Sequence, residues 1–234
     1  MAGNPLRVSA AILAGGLGTR LRPVVADRPK VLAPVHGRPY LSILFDQLVD
    51  AGIEQVTLLT GFQGEQVRET LGETHAGLRL TYSEEPFPLG TAGAVRWALA
   101  KLAAPTILLL NGDSYCAVDY AAFRNFHERA AAQVSLVLAR VSGATRFGNV
   151  LADNHGRVKC FAEKAAVSAD WINAGIYLLQ RSLLEEIPVG QHLSLEHKMF
   201  PEWVRRGRVF GFRCSGRFLD IGTPEVYAEA ASFF

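Results

Sequence analysis

The sequence predicts an α/β protein, a mostly parallel sheet with helices on both faces, followed by a smaller β-rich lobe. Three observations carry this. Over the first 140 residues, short apolar runs alternate with segments of helical spacing, the pattern of repeated βαβ units. Those runs are apolar throughout, as in strands buried on both faces. Beyond residue 149 the chain changes to short alternating segments broken by turn residues such as Asp153-Asn154-His155-Gly156, which is how antiparallel strands read. No Pro/Gly/Ser-rich linker, internal repeat or low-complexity tract divides the 234 residues, so the lobe is expected to be inserted in, or appended to, one domain.

Each element has a local reason. Val8–Leu13 is an apolar run ending at Gly15-Gly16 and reads as a buried strand. Leu41, Leu44, Phe45, Leu48 and Val49 recur at helical spacing between Pro39 and Gly52, residues that open and close helices. Val56–Leu59 is the next strand and Gly64–Leu71 a short helix. Leu78–Tyr82, Thr106–Leu110 and Ser135–Arg140 read as strands, Thr91–Lys101 and Phe123–Arg129 as helices. Leu195, Met199, Trp203 and Val204 share one face of a helix expected over Leu195–Arg206. Val209–Phe212 and Phe218–Ile221 are strands, and Pro224 starts a terminal helix.

Composition excludes several functions. Hydrophobic residues at 49% and charged residues at 20% exclude intrinsic disorder. A net charge of +2, with no basic run longer than Arg205-Arg206, gives no footprint for nucleic acid. Only five cations are lysines (Lys30, Lys101, Lys159, Lys164 and Lys198), so a lysine's position is informative. Cys116, Cys160 and Cys214 are odd in number and form no C-x-x-C, which argues against a disulfide framework or zinc knuckle and for a reducing compartment. The N-terminus lacks a long apolar stretch, and no run approaches the roughly 20 apolar residues of a membrane span. A cytoplasmic protein with no membrane partner is expected.

The strongest local motif is Gly15-Gly16-Leu17-Gly18-Thr19-Arg20-Leu21-Arg22-Pro23, directly after the first strand, with Lys30 downstream. Glycines there let backbone N–H groups approach phosphate oxygens, and Arg20, Arg22 and Lys30 can neutralise a triphosphate. The two familiar phosphate loops do not fit. The chain has no Gly-Lys dipeptide, and Gly16-x-Gly18 reaches Leu21 where a dinucleotide fingerprint needs its third glycine. The second strand ends Leu59-Thr60-Gly61, without the acid that holds a nicotinamide cofactor's ribose. Asp113 lies just past a strand in Leu110-Asn111-Gly112-Asp113, and Asp220 past a short apolar segment in Phe218-Leu219-Asp220-Ile221-Gly222-Thr223-Pro224. Ligands of open parallel sheets bind beyond the strands' carboxyl ends, and two aspartates with phosphate and water oxygens form a donor set magnesium accepts.

These pieces in this order resemble the sugar-1-phosphate nucleotidylyltransferases: the glycine-rich segment 15–23, Pro29-Lys30, Gly112-Asp113, Glu163-Lys164 and Asp220–Pro224. The resemblance runs from about Val8 to Tyr227. It implies a three-layer Rossmann-like nucleotidyltransferase fold with a mostly parallel central sheet and a small β-rich sugar-binding lobe. Residues 1–234 would form a single domain, with about 1–140 as its nucleotide-binding half and about 141–234 as its sugar-binding half. Ser83-Glu84-Glu85-Pro86 with Leu89-Gly90-Thr91-Ala92-Gly93, Trp171–Tyr177 and Leu195-Glu196 with Phe200-Pro201 look most like the D-glycero-α-D-manno-heptose 1-phosphate guanylyltransferases. Mannose-1-phosphate guanylyltransferases and uridylyl- or thymidylyl-transferring enzymes are similar too. The C-terminal extensions of larger relatives are not expected after the second aspartate.

The resemblance also implies roles. A sugar phosphate oxygen attacks the α-phosphorus of a nucleoside triphosphate, GTP favoured, and pyrophosphate leaves. Leu13, Gly15, Gly16, Gly18, Thr19, Arg20, Lys30, Glu85, Gly90 and Thr91 would bind the nucleotide. Gly148, Glu163, Lys164, Asn173 and Gly175 would bind the sugar phosphate. Arg20, Lys30, Asp113 and Asp220 would carry catalysis, with Asp113 and Asp220 holding Mg2+. Glu85 falls where thymidylyl-transferring relatives have their base-binding glutamine, and a carboxylate can accept from guanine N1–H and N2–H2 together. One departure is Ala165, where many relatives have proline after Glu-Lys. The histidines form no metal pair, and no catalytic histidine is expected. A non-catalytic regulatory subunit would be expected to lose a metal acid or the loop arginine; both are present. A glycosyltransferase of similar fold would want Asp-x-Asp, and Asp113-Ser114-Tyr115 offers one carboxylate. Monomer and homo-oligomer both stay open.

Overall fold

The computed structural model describes residues 8–141, 149–162 and 171–234. Strand β1 (Ser9–Leu13) lies at the centre of the sheet. Helix α1 (Tyr40–Asp50) follows Pro39, whose φ of −54° suits a helix entrance, and buries Tyr40, Leu41, Leu44, Phe45 and Leu48. Then come β2 (Gln55–Thr60), α2 (Gly64–Leu71), β3 (Leu78–Glu84), α3 (Gly90–Trp97), β4 (Thr106–Asn111), β5 (Ser114–Cys116) and α4 (Tyr120–Arg129). The second half holds β6 (Val134–Arg140), β7 (Asn149–Ala152), β8 (Val158–Ala162), β9 (Trp171–Gln180), α5 (Arg181–Glu185), α6 (Phe200–Arg205), β10 (Val209–Cys214), β11 (Phe218–Asp220) and α7 (Pro224–Phe233).

One ten-stranded sheet runs β8-β7-β9-β4-β1-β2-β3 to the two-residue strand Thr74–His75, while β6 pairs with both β9 and β10. The β4-β1-β2-β3 portion is parallel, as is β10 on β6. Strand β9 is antiparallel to β4, β6 and β7. The fold is therefore the mixed α/β class that the alternating pattern predicts. Two cores fill its faces: one gathers Ile12, Leu44, Phe45, Leu58 and Phe123, the other Val95, Leu109, Tyr177, Phe200 and Trp203. All three cysteines are free thiols.

Two elements depart from expectation. The helix expected over Thr91–Lys101 begins at Gly90 and tightens to a 3-10 turn over Ala98–Lys101, which brings Lys101 Nζ onto the Tyr82 carbonyl. The helix expected over Leu195–Arg206 is two pieces, a π turn at Leu195–Met199 and then α6. Pro201 has no N–H to give to the preceding turn, and the wider turn upstream accommodates that loss.

Registry decides where the site forms. Leu13 pairs with Leu59 on one side and Asn111 on the other, and Thr60 pairs with Glu84. The carboxyl ends of β1, β2, β3 and β4 thus lie side by side, and the loops starting there converge on one edge.

Candidate active site

Those loops enclose a cavity of about 690 Å3. The glycine-rich segment contributes Gly15, Gly16, Leu17 and Gly18 to its wall. Glu84–Pro88, Gly90 and Thr91 also line it, as do Leu13, Asn111, Gly112 and Asp113; Glu85 Oε1 lies beside the loop, 3.2 Å from a Cβ placed on Gly15. A second cavity of about 400 Å3 adjoins it across Leu17, Gly18, Lys30 and Phe62, and carries Arg22 and Arg28. Arg22 stacks over the Phe62 ring, 5.3 Å from its centroid.

The two aspartates come from distant parts of the chain. Strands β5 and β11 form an antiparallel ribbon pairing Ser114 with Asp220, and Ile221 N–H donates to the Asp113 carbonyl at 3.0 Å. Ser114 Oγ stands 3.2 Å from Asp113 Oδ1 and 3.4 Å from Asp220 Oδ2. Lys30 Nζ is ion-paired with Asp113 Oδ2. Burial pushes the Asp113 carboxyl up, but the Lys30 ammonium and the Ser114 hydroxyl bring it below the usual carboxylate range. Asp220 lacks an equal partner. Burial and then the Asp113 charge push it up to about 6. Its Oδ1 accepts from Gly222 N–H at 2.6 Å. Two carboxylates on one hydroxyl with one ammonium leave excess negative charge on oxygen donors, which suits a hard divalent cation such as Mg2+. Among the described residues no group of three or more His, Cys, Asp or Glu side chains gathers, so remaining donors would come from water and substrate phosphate, as is usual for Mg2+.

Other expected residues take more particular positions. Arg20 lies on the Asp220 side; its guanidinium would be 3.3 Å from a Cβ at Gly222 and acts electrostatically on Asp220. Neither Thr19 nor Arg20 lines the cavity. Thr91 does, but its hydroxyl donates to Glu196 Oε2 at 2.7 Å and accepts from Leu195 N–H at 2.8 Å, joining α3 to the π turn. Glu85 Oε2 accepts from Leu89 N–H at 3.0 Å, so one oxygen is already engaged, and burial raises its pKa. Gly90 has φ +68°, and a Cβ there would lie 2.5 Å from the Leu193 carbonyl. Asn173 and Gly175 lie on β9 and do not line the cavity. Gly148, Glu163 and Lys164 lie outside the described residues.

Three cavity or clamp residues had no assigned role in the sequence pattern. Glu196 fixes Thr91, and Ser194 Oγ also donates to it at 2.9 Å. His192 lines the cavity near Glu85 and lowers its pKa electrostatically, partly offsetting burial. Asn111 lines it too, although its motif drew attention only to Asp113. That motif is the signal for Asn111; the contacts of His192 and Glu196 depend on how the 190–199 segment folds back.

This fold, with a glycine-rich loop and Asp113 lining one cavity at the strand ends and Asp220 beside Asp113 on the β5–β11 ribbon, is that of a nucleotidyltransferase. Residues 9–234 match the Nucleotidyl transferase family, and the chain belongs to that family. It is 34% identical over 223 residues to D-glycero-alpha-D-manno-heptose 1-phosphate guanylyltransferase of Aneurinibacillus thermoaerophilus, covering 95% of this chain and 96% of that protein. It is 36% identical over 230 residues to mannose-1-phosphate guanylyltransferase of Mycobacterium tuberculosis, covering 97% of this chain but 64% of that longer protein. The crystal structure of HddC from Yersinia pseudotuberculosis complexed with GMP-PN is similar at a TM-score of 0.87 and 29% identity, covering 97% of this chain and 99% of that one. No helix among the described residues is long and apolar enough to cross a membrane.

Proposed function

We propose that this protein transfers GMP from GTP to a sugar 1-phosphate, releasing pyrophosphate, and that the sugar is D-glycero-α-D-manno-heptose 1-phosphate. The observation that carries the reading is the one cavity that the glycine-rich loop, Glu85 and Asp113 line together. The guanylyltransferase relatives and the GMP-PN complex of HddC support guanine as the base. Mannose 1-phosphate is the second reading, favoured by the 36% identity to the mycobacterial enzyme.

In this reading, backbone N–H groups of Gly15, Gly16 and Gly18 line the triphosphate, and the cationic second cavity with Arg22, Arg28 and Lys30 suits its β- and γ-phosphates. Asp113 and Asp220 would hold Mg2+, which would supply charge neutralisation to the phosphates. Lys30, ion-paired with Asp113 in the free protein, would turn its ammonium to phosphate oxygen when the nucleotide binds. Glu85 accepts from guanine N–H groups through its second oxygen and the remaining lone pair of the first. Glu163 and Lys164 are the proposed contacts of the sugar phosphate. The chemistry is mainly positioning and charge neutralisation.

The test crosses GTP, ATP, UTP and dTTP with the heptose and mannose 1-phosphates and measures pyrophosphate release. GTP with the heptose 1-phosphate is expected to give the highest kcat/KM. A higher value with UTP or dTTP would overturn the guanine assignment, and one with mannose 1-phosphate would replace the sugar.

A further inference from the structure

Among the described residues eight large apolar side chains are exposed, and three of them, Leu17, Phe62 and Phe87, line the same cavity. Single exposed apolar residues are ordinary, but apolar surface gathered around a cavity marks a ligand site. The three are not equivalent. Leu17 and Phe62 also border the cationic second cavity, and Phe62 already carries the Arg22 guanidinium over its ring. Phe87 lines the first cavity and not the second, and at 52% exposed it is more open than Phe62 at 37%.

Phe87 stands on a constrained turn. Pro86 and Pro88 flank it; each locks its own φ, and the second confines Phe87 to extended backbone. Leu89 N–H closes the turn on Glu85 Oε2 at 3.0 Å, and the Leu89 side chain is fully buried. Glu85 N–H donates to the Thr60 carbonyl at 2.9 Å and the Trp97 indole to the Glu84 carbonyl at 3.0 Å, which ties the entry of the turn to β2 and α3. An aromatic ring on so restricted a backbone loses little freedom when it meets a ligand.

The chemistry of the partner follows from the ring. In the proposed function, on which this inference rests, the triphosphate is charged and both sugars are ringed with hydroxyls; the nucleobase alone offers a broad apolar face. Its hydrogen-bonding edge goes to Glu85, in the same turn as Phe87. We propose that Phe87 is a base-binding residue whose ring stacks on the face of the nucleobase while Glu85 accepts from its edge. The two contacts differ in what they read. An edge distinguishes guanine from uracil, whereas every base has a face, so stacking contributes affinity and little selectivity.

The experiment compares wild type with Phe87→Ala, Phe87→Leu and Phe87→Tyr by isothermal titration in Mg2+ without sugar phosphate. The probes are the nucleoside triphosphate that wild type prefers and inorganic tripolyphosphate, which has no base. Phe87→Ala should raise the Kd of the nucleotide roughly 5- to 150-fold, the scale of one base–aromatic stack. Tripolyphosphate should bind all four proteins alike. Phe87→Tyr, which keeps the ring, should match wild type, and Phe87→Leu, apolar but ringless, should bind the nucleotide more weakly than wild type. Thermal unfolding should be unchanged, because the side chain is exposed; if Phe87→Ala does not fold, Phe87→Leu takes its place. A nucleotide Kd unchanged in Phe87→Ala or in Phe87→Leu, a tripolyphosphate Kd that rises along with it, or a Phe87→Tyr as weak as Phe87→Ala would overturn the inference. Those outcomes leave pyrophosphate release by wild type, and so the proposed function, intact. A wild type that releases no pyrophosphate with any pair of substrates would remove the proposed function and this inference together.

Discussion

His127 on α4 and Ser135 on β6 meet in the buried interior, with Nδ1 2.9 Å from Oγ. Burial pulls the histidine down to about 4, below its ordinary value near 6.5. Between those values the unfolded chain binds a proton that the native protein refuses. Stability is therefore full above about pH 6.5 and is lost as pH falls towards 4. The loss from this residue between pH 7 and pH 5 should be about 2 kcal/mol, measured by urea unfolding. His127→Gln should show a correspondingly smaller difference between the two pH values; an equal difference would acquit His127. Glu85 gives a second prediction at this scale. Glu85→Gln replaces one acceptor by a donor amide, so it should cost GTP roughly 1–3 kcal/mol in kcat/KM, by analogy with bidentate base contacts, and UTP less. The ratio of kcat/KM for GTP over UTP should fall while the KM for sugar phosphate stays unchanged; an unchanged ratio would locate base reading elsewhere. The place of Glu85 in the cavity wall was legible from its spacing to Gly90. Its bond to Leu89 N–H was not, since the turn geometry that aims that N–H leaves no mark in residue spacing.

At the scale of elements, α3 and the strap at residues 191–194 behave as one unit. Ala92 N–H donates to the Leu193 carbonyl and Leu193 N–H to the Leu89 carbonyl, both at 2.9 Å. The strap approaches so closely that a Cβ at Gly90 would meet the Leu193 carbonyl at 2.5 Å. Gly90→Ala should cost about 2–3 kcal/mol and lower Tm by about 4–12 °C, combining left-handed backbone strain with displacement of the strap. Gly72 is the control: its φ is +67° and nothing lies within 4 Å of an added Cβ. Gly72→Ala should cost only the backbone share, about 1–2 kcal/mol. Equal losses in the two variants would show that the strap moves aside freely. Apolar spacing found α1, α2 and the parallel strands, because burial against a sheet leaves a periodic trace in sequence. It did not distinguish the π turn from a helix over Leu195–Arg206, since one wide turn leaves the apolar face nearly unchanged. The close seat of the strap on α3 is a long-range contact between segments about a hundred residues apart, and local pattern holds no record of it.

The whole molecule brings Asp113 from the end of the central sheet to Asp220 near the C-terminus through the β5–β11 ribbon. Motif order made both residues legible as partners; the Lys30 pairing and the unequal electrostatics of the two acids depend on assembled charges. That inequality yields a prediction with opposite signs for stability and activity. Burial and the Asp113 charge push the Asp220 carboxyl up to about 6, above the ordinary 3.8. Stability from this group is therefore greatest at pH values below its unfolded pKa, falls as pH rises from about 4 to about 6, and stays diminished at neutral pH. Asp220→Asn removes that charge while retaining an Oδ1 acceptor for Gly222 N–H. Without Mg2+, the variant should be more stable than wild type at pH 7.5, and the gain should shrink at pH 5. With Mg2+ the order should change. An ion at a hundred times its dissociation constant stabilises the native state by about 2.7 kcal/mol; wild type should show such a rise, and Asp220→Asn should lose most of it. Turnover of Asp220→Asn and Asp113→Asn should fall on the order of a thousandfold or more. Asp113→Asn should gain less stability, or lose it, because it breaks the Lys30 ion pair and leaves an ammonium without its partner. Thermal unfolding in EDTA and in Mg2+, at pH 5 and 7.5, separates these effects from activity. A Mg2+-dependent rise that survives intact in Asp220→Asn would show that this carboxylate does not share the ion, and wild-type turnover in either folded variant would remove the pair from catalysis.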